Sequence, residues 1–283
     1  MGDDSQRVES PGVFRNWTLV LHRIRELWAY RELVSNLTIR DLRLKYKRSS
    51  LGVAWSLLNP LIMMAIYTAV FSVFLRVVNS PHYWALVLGG LLSWLFFANA
   101  LGSATVAFAQ SANLISKVYF PIEALPVASV LANFVNFAIS LLVFLVVIVI
   151  ARLPLGPSLM LLPVILLAQL AFTLGLSLFV ATITVYFRDL EHLIGLALTA
   201  LFYLSPVLYP LNPSALPHGA ARFIPWLNLN PMSWFLESYH SVLYYGTWPD
   251  PGRFALSILS AVAALLGGYL VFARMRTRLP EEV

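Results

Sequence analysis

Long runs of apolar residues dominate the chain, and short polar stretches separate them. Because a helix needs roughly 20 apolar residues to cross about 30 Å of hydrocarbon, runs of this length predict membrane-spanning helices. Five runs are long enough, and a sixth is shorter and ends in "LSPVLYP". The six predicted spans cover about 54–76, 84–109, 127–151, 158–186, 192–209 and 254–273. The pattern predicts an all-α polytopic membrane protein with six transmembrane helices and both termini on one side.

The segment before the first span has a different pattern. Its apolar residues recur at helical spacing on one face: Trp17, Val20, Leu21, Ile24, Leu27 and Trp28. This spacing predicts an amphipathic helix that lies in the membrane interface, and a helix packed on its own protein fits the pattern equally. We therefore divide the chain into a cytoplasmic N-terminal segment, 1–50, and a six-helix transmembrane domain, 51–283.

The stretch from Leu204 to Pro251 is hydrophobic but broken. It holds eight of the chain's seventeen prolines. Broken backbone at membrane depth is tolerated only where protein or a water-filled cavity covers it. We therefore predict two outer re-entrant helices between spans five and six, at about 214–222 and 231–245. A surface loop with amphipathic helices is the alternative.

Composition and charge agree with a membrane protein. The chain is 59% hydrophobic and 11% charged, whereas soluble domains average about 25% charged residues. It has no cysteine, which excludes disulfides and thiolate chemistry. Of the nineteen Lys and Arg residues, fifteen lie on the side of the predicted topology that holds both termini and four on the other, which predicts cytoplasmic termini.

Five of these cations form a basic block immediately before the first span: Arg40, Arg43, Lys45, Lys47 and Arg48. A basic segment can bind nucleic acid. Beside a bilayer-length apolar run, however, it is better suited to anionic lipid headgroups. We therefore expect contacts with membrane lipids and none with nucleic acid.

Residues for chemistry are scarce. The acidic residues fall outside the six spans, with Glu237 and His240 in the second predicted re-entrant helix. The histidines lack metal-ligand spacing, and no glycine is followed by lysine as in an ATPase phosphate-binding loop. We predict no catalytic and no metal site. A separate partner that hydrolyses ATP would supply the energy.

Two cytoplasmic loops carry mixed polar and aromatic residues. The first, "NLISKVYFPIEALP" at 113–126, is either a connector or a docking helix for a cytoplasmic partner, since prolines interrupt any longer helix there. The second, "YFRDLEHL" at 186–193, has on residues alone the composition of a solvated salt-bridge cluster.

Four motifs together resemble the membrane subunit of ABC-2 type polysaccharide exporters, which handle O-antigen, capsular or teichoic-acid glycans. In chain order they are "KYKRSSLGVAWSLLNPL" at 45–61 with Tyr67, Val70 and Phe71 after it, "ISKVYFP" at 115–121, "YFRDLEHL" at 186–193, and "NLNPMS" at 228–233. The resemblance implies a homodimer in the bacterial cytoplasmic (inner) membrane, paired with two copies of an ATPase subunit. ATP and Mg would sit on that partner, and this chain would bind no cofactor.

The resemblance also implies which residues meet the ATPase. The expected contacts in the first loop are Asn113, Ser116, Lys117, Tyr119, Phe120 and Glu123. In the second loop, Arg188, Asp189 and Glu191 form either a second contact or a brace for the first.

A sugar polymer needs a path whose walls do not bind it tightly, and the faces of aromatic side chains can form such walls. Our candidates are Tyr67, Phe71, Trp94, Phe96, Phe97, Phe202, Tyr203 and Tyr209, although packing or interface belts explain such residues equally. The basic block is the candidate receptor for the pyrophosphate of a lipid-linked glycan. ABC-2 efflux of a drug, lipid or small molecule is the main alternative. A membrane-embedded transferase and an ion-coupled carrier are disfavoured because the spans lack ionisable groups.

Overall fold

The computed structural model describes residues 29–47, 49, 51–74, 82–115, 117, 120–211 and 224–276. All regular structure within these residues is helical. The helices are α1 (Arg31–Tyr46), α2 (Trp55–Thr68), α3 (Tyr83–Thr105), α4 (Ala107–Gln110), α5 (Ala112–Ile115), α6 (Ala124–Ile150), α7 (Leu162–Tyr186), α8 (Leu190–Tyr203), α9 (Ile224–Leu227), α10 (Pro231–His240) and α11 (Pro251–Met275).

Five of these elements are long and apolar enough to cross a membrane: α2 with its π-helical end (Trp55–Phe74), α3, α6, α7 with the 3-10 turn before it (Pro157–Tyr186), and α11. They confirm the five long spans predicted from the apolar runs, with bounds that differ by only a few residues. The simple length criterion works because each run is bounded by polar residues or proline.

The predicted fifth span is shorter than expected. Helix α8 ends at Tyr203, six residues before the predicted end of 192–209. A helix of 14 residues is only about 21 Å long. The physical reason follows in the sequence: Pro206 and Pro210 cannot donate to a helical ladder, and residues 204–207 form turns instead.

Helix α3 lies at the centre of the molecule. In its most apolar window 78% of residues are buried, against 6% for α2. Its side chains Leu86 and Leu91 share one core with Phe144 of α6 and Phe235 of α10. Of the five long helices, α3 therefore has the largest buried share.

Helices α7 and α11 form the most extensive pair and approach backbone to backbone. A Cβ added at Gly268 would overlap the carbonyl oxygen of Gly175, and one added at Gly175 would overlap the backbone at Ala264. Small residues allow such close crossings, and van der Waals packing between backbones then stabilises the pair in the absence of a hydrophobic effect.

Helix α10 matches the second predicted re-entrant helix, since helical structure runs from Pro231 to Tyr245. Asn230 caps it, its Oδ1 accepting a hydrogen bond of 3.0 Å from the amide of Met232, and proline fits the first turn of a helix. Its Glu237 accepts a hydrogen bond from Arg253 of α11. The first predicted re-entrant helix, 214–222, lies outside the described residues.

Helix α1 packs on its own protein. Val34 and Leu37 are buried in a second apolar cluster with Phe108, Leu125 and Phe272. The amphipathic segment predicted at 17–28 lies outside the described residues. The structure nevertheless shows that helix extends through most of the basic block, which the sequence pattern did not reveal.

Candidate functional site

The basic block lies on the last two turns of α1 and just beyond. Arg40 pairs with Asp41 at 2.9 Å, and Ser129 of α6 donates a 3.3 Å hydrogen bond to the other oxygen of that carboxylate. Arg43 and Lys47 are exposed. Arg48 lies outside the described residues. The block is therefore not one uniform basic face.

Lys45 differs from its neighbours because its amino group turns towards α6. It donates a hydrogen bond of 3.3 Å to Oδ1 of Asn133. Desolvation by the neighbouring helices lowers the pKa of Lys45 from 10.5, although the residue as a whole is exposed. Within the described residues no carboxylate pairs with it. The ammonium group thus faces a polar but uncharged wall.

That wall belongs to a cleft between α1, α2, α3 and α6. It comprises two adjoining cavities of about 340 Å³ each. Both are lined by Lys45, Asn99, Asn133 and Asn136, so they meet at these residues. We call this space the amide cleft. Four asparagines, Asn59, Asn99, Asn133 and Asn136, make it a polar recess between otherwise apolar helices.

Hydrogen bonds inside the amide cleft involve two of its four asparagine amides, those of Asn133 and Asn136. Asn133 donates from Nδ2 to the hydroxyl of Ser103 at 3.2 Å and to the carbonyl of Ser129 at 2.9 Å. The hydroxyl of Tyr46 donates to Oδ1 of Asn136 at 2.9 Å. The Nδ2 group of Asn136 is buried and has no hydrogen-bond partner among the described residues.

The first loop, predicted to be cytoplasmic, only partly presents the residues predicted to meet an ATPase. Asn113 lies on the short helix α5, and Lys117 is exposed. Phe120 and Glu123 are instead buried, at 7% and 2% exposure, immediately before α6. Ser116 and Tyr119 lie outside the described residues. Phe120 therefore anchors the loop to the apolar cluster under α1.

The second loop exposes Arg188, Asp189 and Glu191. The salt-bridge cluster considered from the sequence is wrong, because these three side chains form no ion pair in the part of the chain that the structure describes. Arg188 and Glu191 instead line a cavity of about 390 Å³ with Val106 and Ala109. The structure thereby brings the second loop beside the C-terminal end of α3 and the short helix α4.

Five of the eight predicted path aromatics form one connected group. Phe202 lies 5.8 Å from Tyr67, 5.8 Å from Trp94 and 5.1 Å from Tyr203, measured between ring centroids. Phe97 contacts Trp94 at 5.6 Å. The group joins α2, α3 and α8.

The remaining three aromatics make no ring contact with that group in the described part of the chain. Phe96 stacks on Phe137 at 5.1 Å and lines the amide cleft. Tyr209 donates a 3.2 Å hydrogen bond to the carbonyl of Tyr203, and Phe71 packs at the edge of the core. Trp94, Phe96, Phe97 and Phe202 are buried within the chain, whereas Tyr203 is 61% exposed. Tyr67, Phe71, Tyr203 and Tyr209 thus keep surface for a substrate, and the path stays a prediction.

Comparison with known proteins now decides the family. Residues 32–244 match the family model described as ABC-2 type transporter. This range includes α1, the amide cleft, both cytoplasmic loops and α10. The chain belongs to the ABC-2 transporter family.

Relatives of this ABC-2 transporter protein match it along nearly its whole length. It is 35% identical over 265 residues to the O-antigen export system permease protein RfbA of Myxococcus xanthus, which covers 93% of this chain and 100% of the relative. It is 28% identical over 253 residues to the protein of the same name from Klebsiella pneumoniae, which covers 88% and 94% respectively. The resemblance recognised from the sequence motifs is confirmed.

Sequence reasoning missed the polar interior of this ABC-2 transporter chain. Ser129, Asn133, Asn136 and Ser140 recur every three or four residues along α6 and therefore share one face. That spacing was the available signal. We overlooked it because the surrounding residues make this the most hydrophobic run in the sequence.

Proposed function

We propose that this chain is the permease subunit of an ATP-driven exporter that moves a lipid-linked polysaccharide across the bacterial cytoplasmic membrane. The observation that carries the proposal is the 35% identity to an O-antigen export permease along that relative's full length. Similarity restricted to the span pattern would support transport in general. Similarity that extends through both cytoplasmic loops and the outer region supports the same cargo class.

The proposed topology has six spans, with α8 as the short fifth and both termini in the cytoplasm. The excess of Lys and Arg on one side supports this orientation. Helix α10 would then re-enter the membrane from outside. Its burial among the other helices supports this, since Phe235, Leu236 and Tyr239 have at most 1% exposure.

The proposed assembly is a homodimer with two copies of a separate ATPase subunit, which holds ATP and Mg. The docking surface for that subunit is offered by exposed Lys117, Arg188 and Glu191, and by the cavity that the second loop forms with Val106 and Ala109. ATP-driven closure of the partner would move these loops, and the long helices would transmit the movement.

The basic block is proposed to receive the anionic end of the lipid-linked glycan from the cytoplasmic leaflet. Arg43 and Lys47 are exposed for a first encounter, while Lys45 leads inwards to the amide cleft. Ammonium and guanidinium groups form strong charge-assisted hydrogen bonds with phosphate oxygens.

The test is to delete the gene in its host and follow a radiolabelled sugar into lipid-linked glycan, with surface and cytoplasmic pools separated. We expect long glycan to accumulate inside and to return to the surface when the wild-type gene is restored. Normal surface glycan in a strain without a second exporter would overturn polysaccharide export and would favour small-molecule, drug or lipid efflux instead.

A further inference from the structure

The amide cleft contains a polar group that the protein itself leaves unsatisfied. Asn136 is 8% exposed, and its Nδ2 group has no hydrogen-bond partner in the described structure. An unpaired buried amide is costly, since it has lost its hydrogen bonds to water. Asn136 lies twelve residues into α6, about 18 Å along the helix axis. An apolar residue at this position would avoid that free-energy cost. A ligand that accepts a hydrogen bond would remove the penalty.

The cleft is accessible and has the size of a ligand site. Trp55, Asn59 and Asn99 line it and are exposed, so it opens to the protein surface. Each of its two cavities has about 340 Å³, within the range of about 300–1,000 Å³ that is typical of small-ligand sites.

The lining selects the chemistry of the ligand. Asparagine amides offer neutral donors and acceptors, which suit hydroxyl groups. Phe96 and Phe137 add aromatic surface beside them, and this suits the apolar face of a sugar ring. Lys45 contributes one positive charge, while the charges of Arg40 and Asp41 cancel in their ion pair. A single net cation among amides fits a mostly neutral, hydroxyl-rich ligand with an anionic group at one end.

We infer that the amide cleft binds the first sugar of the lipid-linked glycan together with the diphosphate that joins it to the lipid. Asn136 donates from Nδ2 to a sugar hydroxyl, and Lys45 donates to a phosphate oxygen. Asn133 positions Lys45 through their hydrogen bond. The inference rests on the proposed function and deepens it, because it places the recognised end of the substrate inside one protomer rather than only on the basic surface.

The experiment measures binding of a fluorescent polyprenyl diphosphate disaccharide to the full transporter, assembled with its ATPase subunit in nanodiscs. Asn136→Leu removes the amide at similar size and should raise Kd about tenfold, the loss of one good hydrogen bond. For polyprenyl diphosphate without sugar, Asn136→Leu should reduce the affinity far less, since Asn136 contacts the sugar. Asn136→Asp keeps the acceptor for Tyr46 but adds a negative charge, and it should weaken both probes.

The control is Tyr46→Phe, which removes the protein's hydrogen bond to Asn136 and leaves the Nδ2 group in place. It should change Kd much less than Asn136→Leu. Equal losses in the two variants would overturn the inference, because Asn136 would then act only through the fold. Unchanged binding in Asn136→Leu would overturn it as well. If either of these two results is found in a complex that still exports glycan, the proposed function stays intact. A wild-type complex that neither binds the probe nor exports glycan would refute both the inference and the proposed function.

Discussion

A buried hydrogen-bond network ties three helices together and allows a quantitative test of the fold. Gln169 of α7 donates from Nε2 to the carbonyl and the hydroxyl of Ser93 in α3, at 3.0 and 2.9 Å. Its Oε1 accepts from the hydroxyl of Tyr239 in α10 at 2.8 Å. All three residues have at most 1% exposure, so water cannot replace a lost partner.

The structure predicts that Tyr239→Phe destabilises the wild-type protein but stabilises the Gln169→Leu variant. Gln169→Leu removes three hydrogen bonds, and at about 0.6 kcal/mol each in membrane proteins it should destabilise the fold by about 2 kcal/mol. Tyr239→Phe alone leaves Oε1 of Gln169 unpaired and should cost about 1 kcal/mol. In the Gln169→Leu background the tyrosine hydroxyl has no partner, so Tyr239→Phe should then stabilise by up to about 1 kcal/mol. The coupling free energy is therefore about 2 kcal/mol.

The assay is the free energy of unfolding of the four proteins in one lipid–detergent mixture. Gln110→Leu is the matched control, since Gln110 is exposed and its replacement should change stability by less than about 0.5 kcal/mol. If Tyr239→Phe destabilises the Gln169→Leu protein as much as the wild type, the network does not hold these helices as the structure indicates.

Two further predictions use pairs of neighbouring residues as internal controls. Gly268→Leu should prevent the close crossing of α11 with α7 at Gly175 and reduce the yield of folded protein. Gly267→Leu should be tolerated, because a Cβ there meets no atom within 4 Å. Size-exclusion profiles and thermal unfolding measure both effects. Binding of the diphosphate glycan probe should weaken as pH rises through the lowered pKa of Lys45, since the neutral amine cannot pair with phosphate. Lys45→Arg should remove this pH dependence of binding between about pH 7 and about pH 10, because arginine stays charged there. Replacement of the exposed Lys47 by Arg should leave the dependence unchanged. A pH profile of Kd that is the same in all three proteins would refute the role of Lys45.

The long spans could be predicted because their signal is local. A run of apolar residues bounded by polar residues specifies a helix of membrane length wherever it packs, and α6 (Ala124–Ile150) illustrates this closely. The predicted end of the fifth span was wrong, because apolar residues continue past Tyr203 while the prolines that follow end the helix. Apolar composition alone does not define the length of a helix.

The candidate site could be predicted only in part because it depends on long-range contacts. Lys45 was identified from its charge, but its partner Asn133 lies 88 residues further along the chain. Burial of Trp94 and Phe97 depended on α3 taking the central position, and a helix that is apolar on all sides gives no preferred face from which to deduce this. Periodicity shows that polar residues share a face, but not which helix they meet.

One helix connects the first loop with the amide cleft. Helix α6 begins directly after buried Glu123 and carries both Asn133 and Asn136. It contains no glycine, and its only proline, Pro126, lies in the first turn, where it does not interrupt the hydrogen-bond ladder. A displacement at the loop should therefore reach the asparagines through a rigid rod about 15–20 Å long, and ATP binding by the partner should change the affinity of the cleft.

This coupling can be broken without touching either end. Val127→Gly with Leu131→Gly softens α6 between the loop and the asparagines, because each glycine costs about 1 kcal/mol of helix stability. Leu142→Gly with Val146→Gly places the same pair of substitutions, at the same spacing, beyond them. We expect the difference in probe affinity between nucleotide-free and ATP-trapped complexes to fall in the first variant and to persist in the second. An equal difference in both variants would show that movement reaches the cleft by another route, for which α1, packed against α6, would be the next element to soften.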